Sequence, residues 1–220
     1  MFGDHSEVSG VAAPSRTLVG FGVSFFDLNN SGTPDLFVAN GHVSDNIQQV
    51  NPSYTYPQPN LLLLNLQGAR FRDASSDAGP ALARREVSRG TAVADFDRDG
   101  DLDLLVTNNN GPARLLQNRL NDDPAAHGWV QFALAGTHCN RNAIGSRLRL
   151  IAGSSVQQRE VRSGSSYASQ SELVVHFGLG GEPSATRLEI RWPCGKAQTI
   201  ESPASNRRHE IKEVVDAVAP

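Results

Sequence analysis

Apolar residues in this chain fall into short runs, each bounded by glycine, asparagine or aspartate. Val23-Ser24-Phe25-Phe26 gives way to a polar stretch and then to Asp35-Leu36-Phe37-Val38-Ala39. Thr91-Ala92-Val93-Ala94 gives way in the same manner to Asp103-Leu104-Leu105-Val106-Thr107. A third matched pair is Asn60-Leu61-Leu62-Leu63-Leu64-Asn65 and Ala113-Arg114-Leu115-Leu116-Gln117-Asn118. Runs of this length, rich in β-branched and aromatic residues and closed by turn formers, predict strands. The pattern predicts an all-β protein.

The polar stretches between paired runs carry the chemistry. Asp95-Phe96-Asp97-Arg98-Asp99-Gly100-Asp101-Leu102-Asp103 places an oxygen-bearing side chain at every second residue and a glycine sixth. Asp27-Leu28-Asn29-Asn30-Ser31-Gly32-Thr33-Pro34-Asp35 repeats that spacing. Ca²⁺ takes six to eight oxygens at about 2.3–2.6 Å, and a tight loop can aim side chains 1, 3, 5 and 9 and the carbonyl of residue 7 at one point. The expected ligands are Asp95, Asp97, Asp99, Asp103 and the carbonyl of Asp101. In the first loop they are Asp27, Asn29, Ser31, Thr33 and Asp35, a weaker set because Asn29 and Ser31 are neutral. The alternative for such a stretch is a solvated turn. Crowded carboxylates repel one another, however, and a cation is their natural partner.

An EF-hand begins with the same spacing but needs a glutamate at position 12 and flanking helices. Position 12 here is Val38 or Val106, each inside a predicted strand. The loops are therefore expected to connect strands. The repetition also extends beyond them. Gly22 precedes Asp27 as Gly90 precedes Asp95, and Phe2-Gly3-Asp4-His5-Ser6 matches Phe71-Arg72-Asp73-Ala74-Ser75. Residues 44–59, with Pro52, Tyr54, Tyr56, Pro57 and Pro59 in close succession, read as an insertion in the first unit. About four short strands per unit predicts a propeller blade, which needs neighbours on both faces.

The pattern Gly-x-x-x-x-Asp-x-Asp-x-Asp-Gly-x-x-Asp-Leu followed by an apolar strand resembles the FG-GAP/VCBS repeat of integrin-type β-propellers. That resemblance covers about residues 1–118 and implies one Ca²⁺ per loop. It implies a fragment of a larger propeller, whose missing blades lie in a longer parent chain or another subunit.

Arg119 to His127 is polar, contains Pro124 and breaks the repeat, so 119–127 is the expected linker. Beyond it, 128–220 alternates short apolar runs (Val130/Phe132/Leu134, Leu148/Leu150, Leu173–Phe177, Leu188/Ile190/Trp192) with glycines. This predicts a small β-sandwich or barrel. Four motifs occur in order: Asn140-Arg141-Asn142-Ala143-Ile144-Gly145-Ser146, then Arg159 to Gln170, His176-Phe177-Gly178-Leu179-Gly180, and Trp192-Pro193-Cys194-Gly195. Together they resemble the ASPIC/UnbV domain, which follows FG-GAP repeats in the cartilage acidic protein family. Asn142 departs from the acidic residue usual there. Cys139 and Cys194 are not standard and read equally as a disulfide or as two free thiols.

Charge narrows the field. The chain holds 20 basic and 23 acidic residues. Residues 1–118 carry a net −5 and residues 119–220 a net +2, so neither half has a nucleic-acid footprint. No apolar run reaches the roughly 18–20 residues of a membrane span. Histidines at 5, 42, 127, 138, 176 and 209 show no zinc spacing, and no Gly-x-Ser-x-Gly elbow occurs. Gly178-Leu179-Gly180 leads towards Pro183 and reads as a turn. Arg141 and Tyr167-Ala168-Ser169-Gln170 are the best polar candidates for a site in the second module, and fixing turns is the plainer use for them. The leading expectation is a non-catalytic, calcium-binding recognition or adhesion module, extracellular or in the cell envelope by resemblance, meeting protein or glycan. The rival is an accessory glycan- or substrate-binding domain of a polysaccharide-processing or biosynthetic system. A hydrolase in the second module is the third.

Overall fold

The computed structural model describes residues 1–68, 70–120 and 126–214. Among these, helix is confined to two single turns, α1 (Ala12–Ser15) and α2 (Ile47–Val50), and the rest is strand and loop. Residues 121–125 of the expected linker lie outside the described residues.

Strands β1 (Gly20–Phe26), β2 (Asp35–Asn40), β4 (Leu61–Asn65) and β5 (Phe71–Asp73) form an antiparallel sheet in the order β1-β2-β4-β5. Strands β7 (Ser88–Ala94), β8 (Asp103–Asn108) and β9 (Arg114–Leu116) repeat its first three strands. The repetition reaches the register. Phe26 faces Asp35 and Ala94 faces Asp103, while each first strand is irregular near its start, between Gly20 and Gly22 and between Ser88 and Thr91. Residues 44–59 supply α2 and the short strand β3 (Gln58–Pro59), which pairs with β6 (Arg85–Glu86).

The two sheets pack as adjacent blades. Phe26, Phe37, Ala39, Leu62, Leu82, Val93, Leu102, Leu104 and Val106 form the core between them. Leu36, Leu61 and Leu63 point to the opposite face of the first sheet, where Val11 and Leu18 cover them. Covering both faces explains why β2 and β4 read as continuous apolar runs instead of alternating ones. The outer face of the second sheet is different: the cross-strand pair Leu105 and Leu115 is 42% and 47% exposed. Residues 2–6 form no strand, unlike Phe71–Asp73 of their match, and among the described residues no strand pairs with them. The local turn survives all the same. Ser6 N–H and Oγ both donate to Asp4 Oδ1, as those of Ser75 do to Asp73 Oδ1.

The second module is a sandwich of two open sheets, not a barrel. One sheet is β13 (Val175–Gly180), β10 (Gly128–Ala135) and β16 (Arg207–Lys212), with β10 and β16 parallel. The other runs β12 (Ser155–Glu160), β11 (Arg147–Ala152), β14 (Arg187–Arg191) and β15 (Ala197–Glu201). Val130, Phe132, Phe177, Leu148, Leu150, Leu188, Ile190 and Trp192 fill the space between them. The open alternative at the cysteines resolves to a Cys139–Cys194 disulfide with Cα atoms 5.6 Å apart. Glu213 anchors the same corner, its Oε2 accepting the N–H groups of Thr137, His138 and Cys139 at 2.8, 2.9 and 3.0 Å.

One expectation is corrected. Gly178-Leu179-Gly180 is not a turn but the end of β13, with Gly178 opposite Trp129. The glycine serves a close approach: a Cβ at 178 would overlap Asp27 Oδ2 and the backbone of Asn30. The first loop thus lies directly on a strand of the second module.

Candidate metal centre

Both oxygen-rich loops connect the first two strands of a blade, and they share a backbone course. The fourth residue is left-handed in each, Asn30 at φ 55° and Arg98 at φ 65°, as is the sixth, Gly32 at 87° and Gly100 at 95°. The ninth residue closes each loop. Asp35 accepts the N–H groups of Leu28 and Asn65 at 2.9 and 2.8 Å. Asp103 accepts those of Phe96 and Asn118 at 2.9 and 2.8 Å.

The loops then diverge. In the second, Asp95, Asp97 and Asp99 each bring a carboxylate oxygen to within 4.8 Å of the others. Asp95 is buried; its Oδ2 accepts Gly100 N–H at 3.1 Å and Gln131 Nε2–H at 2.7 Å. Its Oδ1 is buried with no hydrogen-bond partner. A buried carboxylate oxygen left unmatched is costly, and a cation is the partner that the neighbouring oxygens favour. Asp99 is pushed above the usual carboxylate range by burial and by the charges of Asp97, Asp95 and Asp103. Asp103 is raised by burial and by Asp97 and Asp95. The charges of Asp95 and Asp97 thus bear on both Asp99 and Asp103. The side chain of Asp101 is buried and turned to the other loop, where its Oδ1 accepts Asn30 Nδ2–H at 3.3 Å.

In the first loop the oxygens are already engaged. Asp27 Oδ1 accepts Ser31 N–H at 2.9 Å and Oδ2 accepts Gly32 N–H at 2.7 Å. Asn29 Oδ1 shares the Ser31 N–H at 3.2 Å, and the hydroxyls of Ser31 and Thr33 are 3.0 Å apart. Burial, with the nearby charge of Asp35, lifts Asp27 to about 6, and the half-buried guanidinium of Arg159 partly offsets this. All ten predicted positions thus lie in two loops of one kind, and only the second gathers a cluster of carboxylates.

Residues of the second module reach both loops, and none was singled out from sequence for that role. Gln131 reaches Asp95, Glu172 Oε1 accepts the Asp95 N–H at 2.8 Å, and His176 Nε2 lies 2.6 Å from Asn30 Oδ1. Trp129 packs on Gly100 so closely that a Cβ there would overlap its indole. The segment 165–172 lies along the first strands of both blades. Ser166 Oγ is 2.7 Å from Thr91 Oγ1, which is 2.5 Å from Ser24 Oγ, and Glu172 N–H donates to Val93 O at 3.0 Å.

Comparison with known families matches this division. Residues 27–106 match the model of the FG-GAP-like repeat, and residues 136–217 match that of ASPIC and UnbV. The chain thus carries a segment similar to FG-GAP-like repeats followed by one similar to ASPIC and UnbV. It is similar to "Cartilage acidic protein 1" of Xenopus tropicalis, 33% identical over 147 residues that cover 66% of this chain and 22% of that protein. The mouse protein of the same name is 30% identical over 138 residues, 62% of this chain and 21% of its own length. The human protein is 30% identical over 138 residues, 62% of this chain and 20% of its own. The chain spans about a fifth of the length of these curated relatives. The ASPIC/UnbV match begins after Trp129 and Gln131, so the strand that touches the second loop stands before the matched segment.

Proposed function

We propose that this chain is a calcium-binding, non-catalytic recognition or adhesion module that works outside the cell. One observation carries the calcium reading: the buried, unpartnered Oδ1 of Asp95 beside the carboxylates of Asp97 and Asp99. The donor set is entirely hard oxygen, which suits Ca²⁺ over softer ions. Asp95, Asp97, Asp99 and Asp103 would hold it, with the Asp101 carbonyl as a further ligand at the seventh position. The first loop is the weaker site, its Asp27 oxygens being occupied by main-chain N–H groups.

The non-catalytic reading is supported by how the 167–170 candidate is spent. Ser169 Oγ donates to Tyr167 O at 2.8 Å, Gln170 Oε1 accepts Gly164 N–H, and the Tyr167 ring meets Phe21 of the first blade edge-on at 5.4 Å. They fasten a turn to the blades. Placement outside the cell is supported by the likeness to proteins named for cartilage and by the disulfide, which persists in oxidising surroundings. The exposed Leu105–Leu115 face is where further blades of a longer chain, or another subunit, would pack.

Calorimetric titration of the metal-free chain with calcium chloride tests this reading. The expected dissociation constant is about 10⁻⁴–10⁻³ M, typical of extracellular modules. Asp95→Ala should abolish that binding and Asp27→Ala should leave most of it. An absence of binding in the wild type, or equal losses in the two variants, would reject the assignment.

A further inference from the structure

We propose that the ASPIC/UnbV domain is part of the cation site: Gln131 is a positioning residue for Asp95, and cation binding at the 95–103 loop is coupled to the seating of the sandwich on that loop. The inference rests on the calcium reading above and adds a partner within the chain.

A carboxylate ligand must keep one oxygen fixed so that the other meets the ion. Asp95 Oδ2 receives two donors, Gly100 N–H from its own loop and Gln131 Nε2–H from β10. Those two bonds fix the carboxylate plane and leave Oδ1 free of any protein partner. Gln131 is itself buried, and its amide nitrogen also lies 3.3 Å from His176 Nδ1, so its orientation is set from both sides. Glu172 holds the Asp95 main chain through the N–H, and Trp129 caps Gly100. Three contacts from the sandwich therefore converge on the first and sixth residues of the loop.

The first loop provides the contrast. Asp27 is oriented by Ser31 and Gly32 of its own loop, and the buried amide beyond it, Gln157 Nε2, donates instead to Gly178 O at 2.7 Å. There the sandwich touches the loop without orienting its first carboxylate by an amide. Coupling of this kind is reciprocal. If seating the sandwich improves the ion's site, the ion must strengthen the seat by the same factor.

The test uses the full chain and calcium chloride alone. Gln131→Met keeps side-chain length and burial but removes the donor; it should weaken calcium binding about tenfold, about 1.4 kcal/mol. Gln157→Met removes a buried amide of the same kind at the other loop and should leave the affinity within about twofold. Calcium binding by the wild type together with unchanged affinity in Gln131→Met, or with equal losses in both variants, would overturn the coupling and leave the calcium reading intact. A wild type that takes up no calcium would remove both. Should Gln131→Met fail to fold, hydrogen exchange on the wild type decides: calcium should slow exchange in residues 128–134 and 172–180 as well as 95–103, and protection confined to the loop overturns the proposal.

Discussion

His176 Nε2 lies 2.6 Å from Asn30 Oδ1, 146 residues away in sequence, and this contact fixes the direction of a buried chain of hydrogen bonds. Asn30 Nδ2 donates to Gly100 O and Asp101 Oδ1, both at 3.3 Å, so its oxygen is the acceptor from His176. Nε2 of the imidazole therefore carries the proton and Nδ1 accepts from Gln131, whose second amide hydrogen serves Asp95. Both oxygen-rich loops are tied to the sandwich through one neutral histidine.

Protonating that ring would set an N–H against the Gln131 amide. Burial, then the nearby Arg159, pushes His176 from 6.5 down to about 3. The unfolded chain binds the proton near 6.5 and the folded one does not, so stability falls as pH drops from about 6.5 towards 3. At pH 5.5, one unit below the unfolded value, the loss is about 1.4 kcal/mol. Asp27 has the opposite sign. Raised from 3.8 to about 6, its contribution is complete below 3.8 and is lost as pH rises through about 6. Urea unfolding at pH 7.5 and 5.5 should therefore show the wild type losing about 1.4 kcal/mol more than His176→Gln. Parallel losses in the two proteins would contradict a neutral, buried His176.

Calcium should raise the melting temperature. A ligand at about 100 times its dissociation constant contributes about 2.7 kcal/mol if it binds only the native state. For a chain of this size about 2–4 °C accompanies each kcal/mol, so EGTA should lower the melt by roughly 5–11 °C. The Asp95→Ala protein should melt at one temperature with or without chelator. A wild-type melt unmoved by verified calcium removal would refute a stabilising role.

The hairpins, the loops between them and the repeat were legible in sequence because each is a local pattern: apolar runs near 3–7 residues, alternating oxygens, a glycine at a fixed place. The docking of the sandwich was not, because its contacts join residues 36 to 146 positions apart. Gly178 shows the difference. From its neighbours it reads as a turn, and only the arrival of Asn30 explains why a strand carries no side chain there. Gln131 left a fainter trace. Val130 and Phe132 point into the sandwich core, so an interior amide between them marks a second covered face on the same strand. Strands β12, β15 and β16 leave little trace in the sequence because few of their side chains are buried and their sequences are correspondingly polar.

That reading of Gly178 can be tested by adding one methyl group. Gly178→Ala would press on Asp27 Oδ2 and the Asn30 backbone, and overpacking of this kind costs about 1–3 kcal/mol. Gly181 has open space around its Cβ position, so Gly181→Ala should be near neutral. Chemical denaturation of both variants decides it. Equal stability of the two would mean that the first loop does not press on β13.

Separating the halves should leave them unequal. The sandwich core is drawn entirely from residues 130–211, and a disulfide closes a 55-residue span within it. What it loses on separation is a largely polar contact, Gln131, His176 and Glu172, which water can satisfy, together with the Trp129 indole. Residues 128–214 should therefore fold alone, monomeric, with a cooperative melt that calcium does not shift. Their Trp129 fluorescence should move to the red relative to the intact chain. Residues 1–118 keep the core between the blades but already expose Leu105 and Leu115, and cutting uncovers the β1 and β7 edges beneath segment 165–172. Open strand edges beside an apolar face favour association. Size-exclusion chromatography of this fragment should show oligomers or aggregate even with calcium present. A monomeric 1–118 fragment with a sharp melt would mean that the blades need neither the sandwich nor further blades to stand.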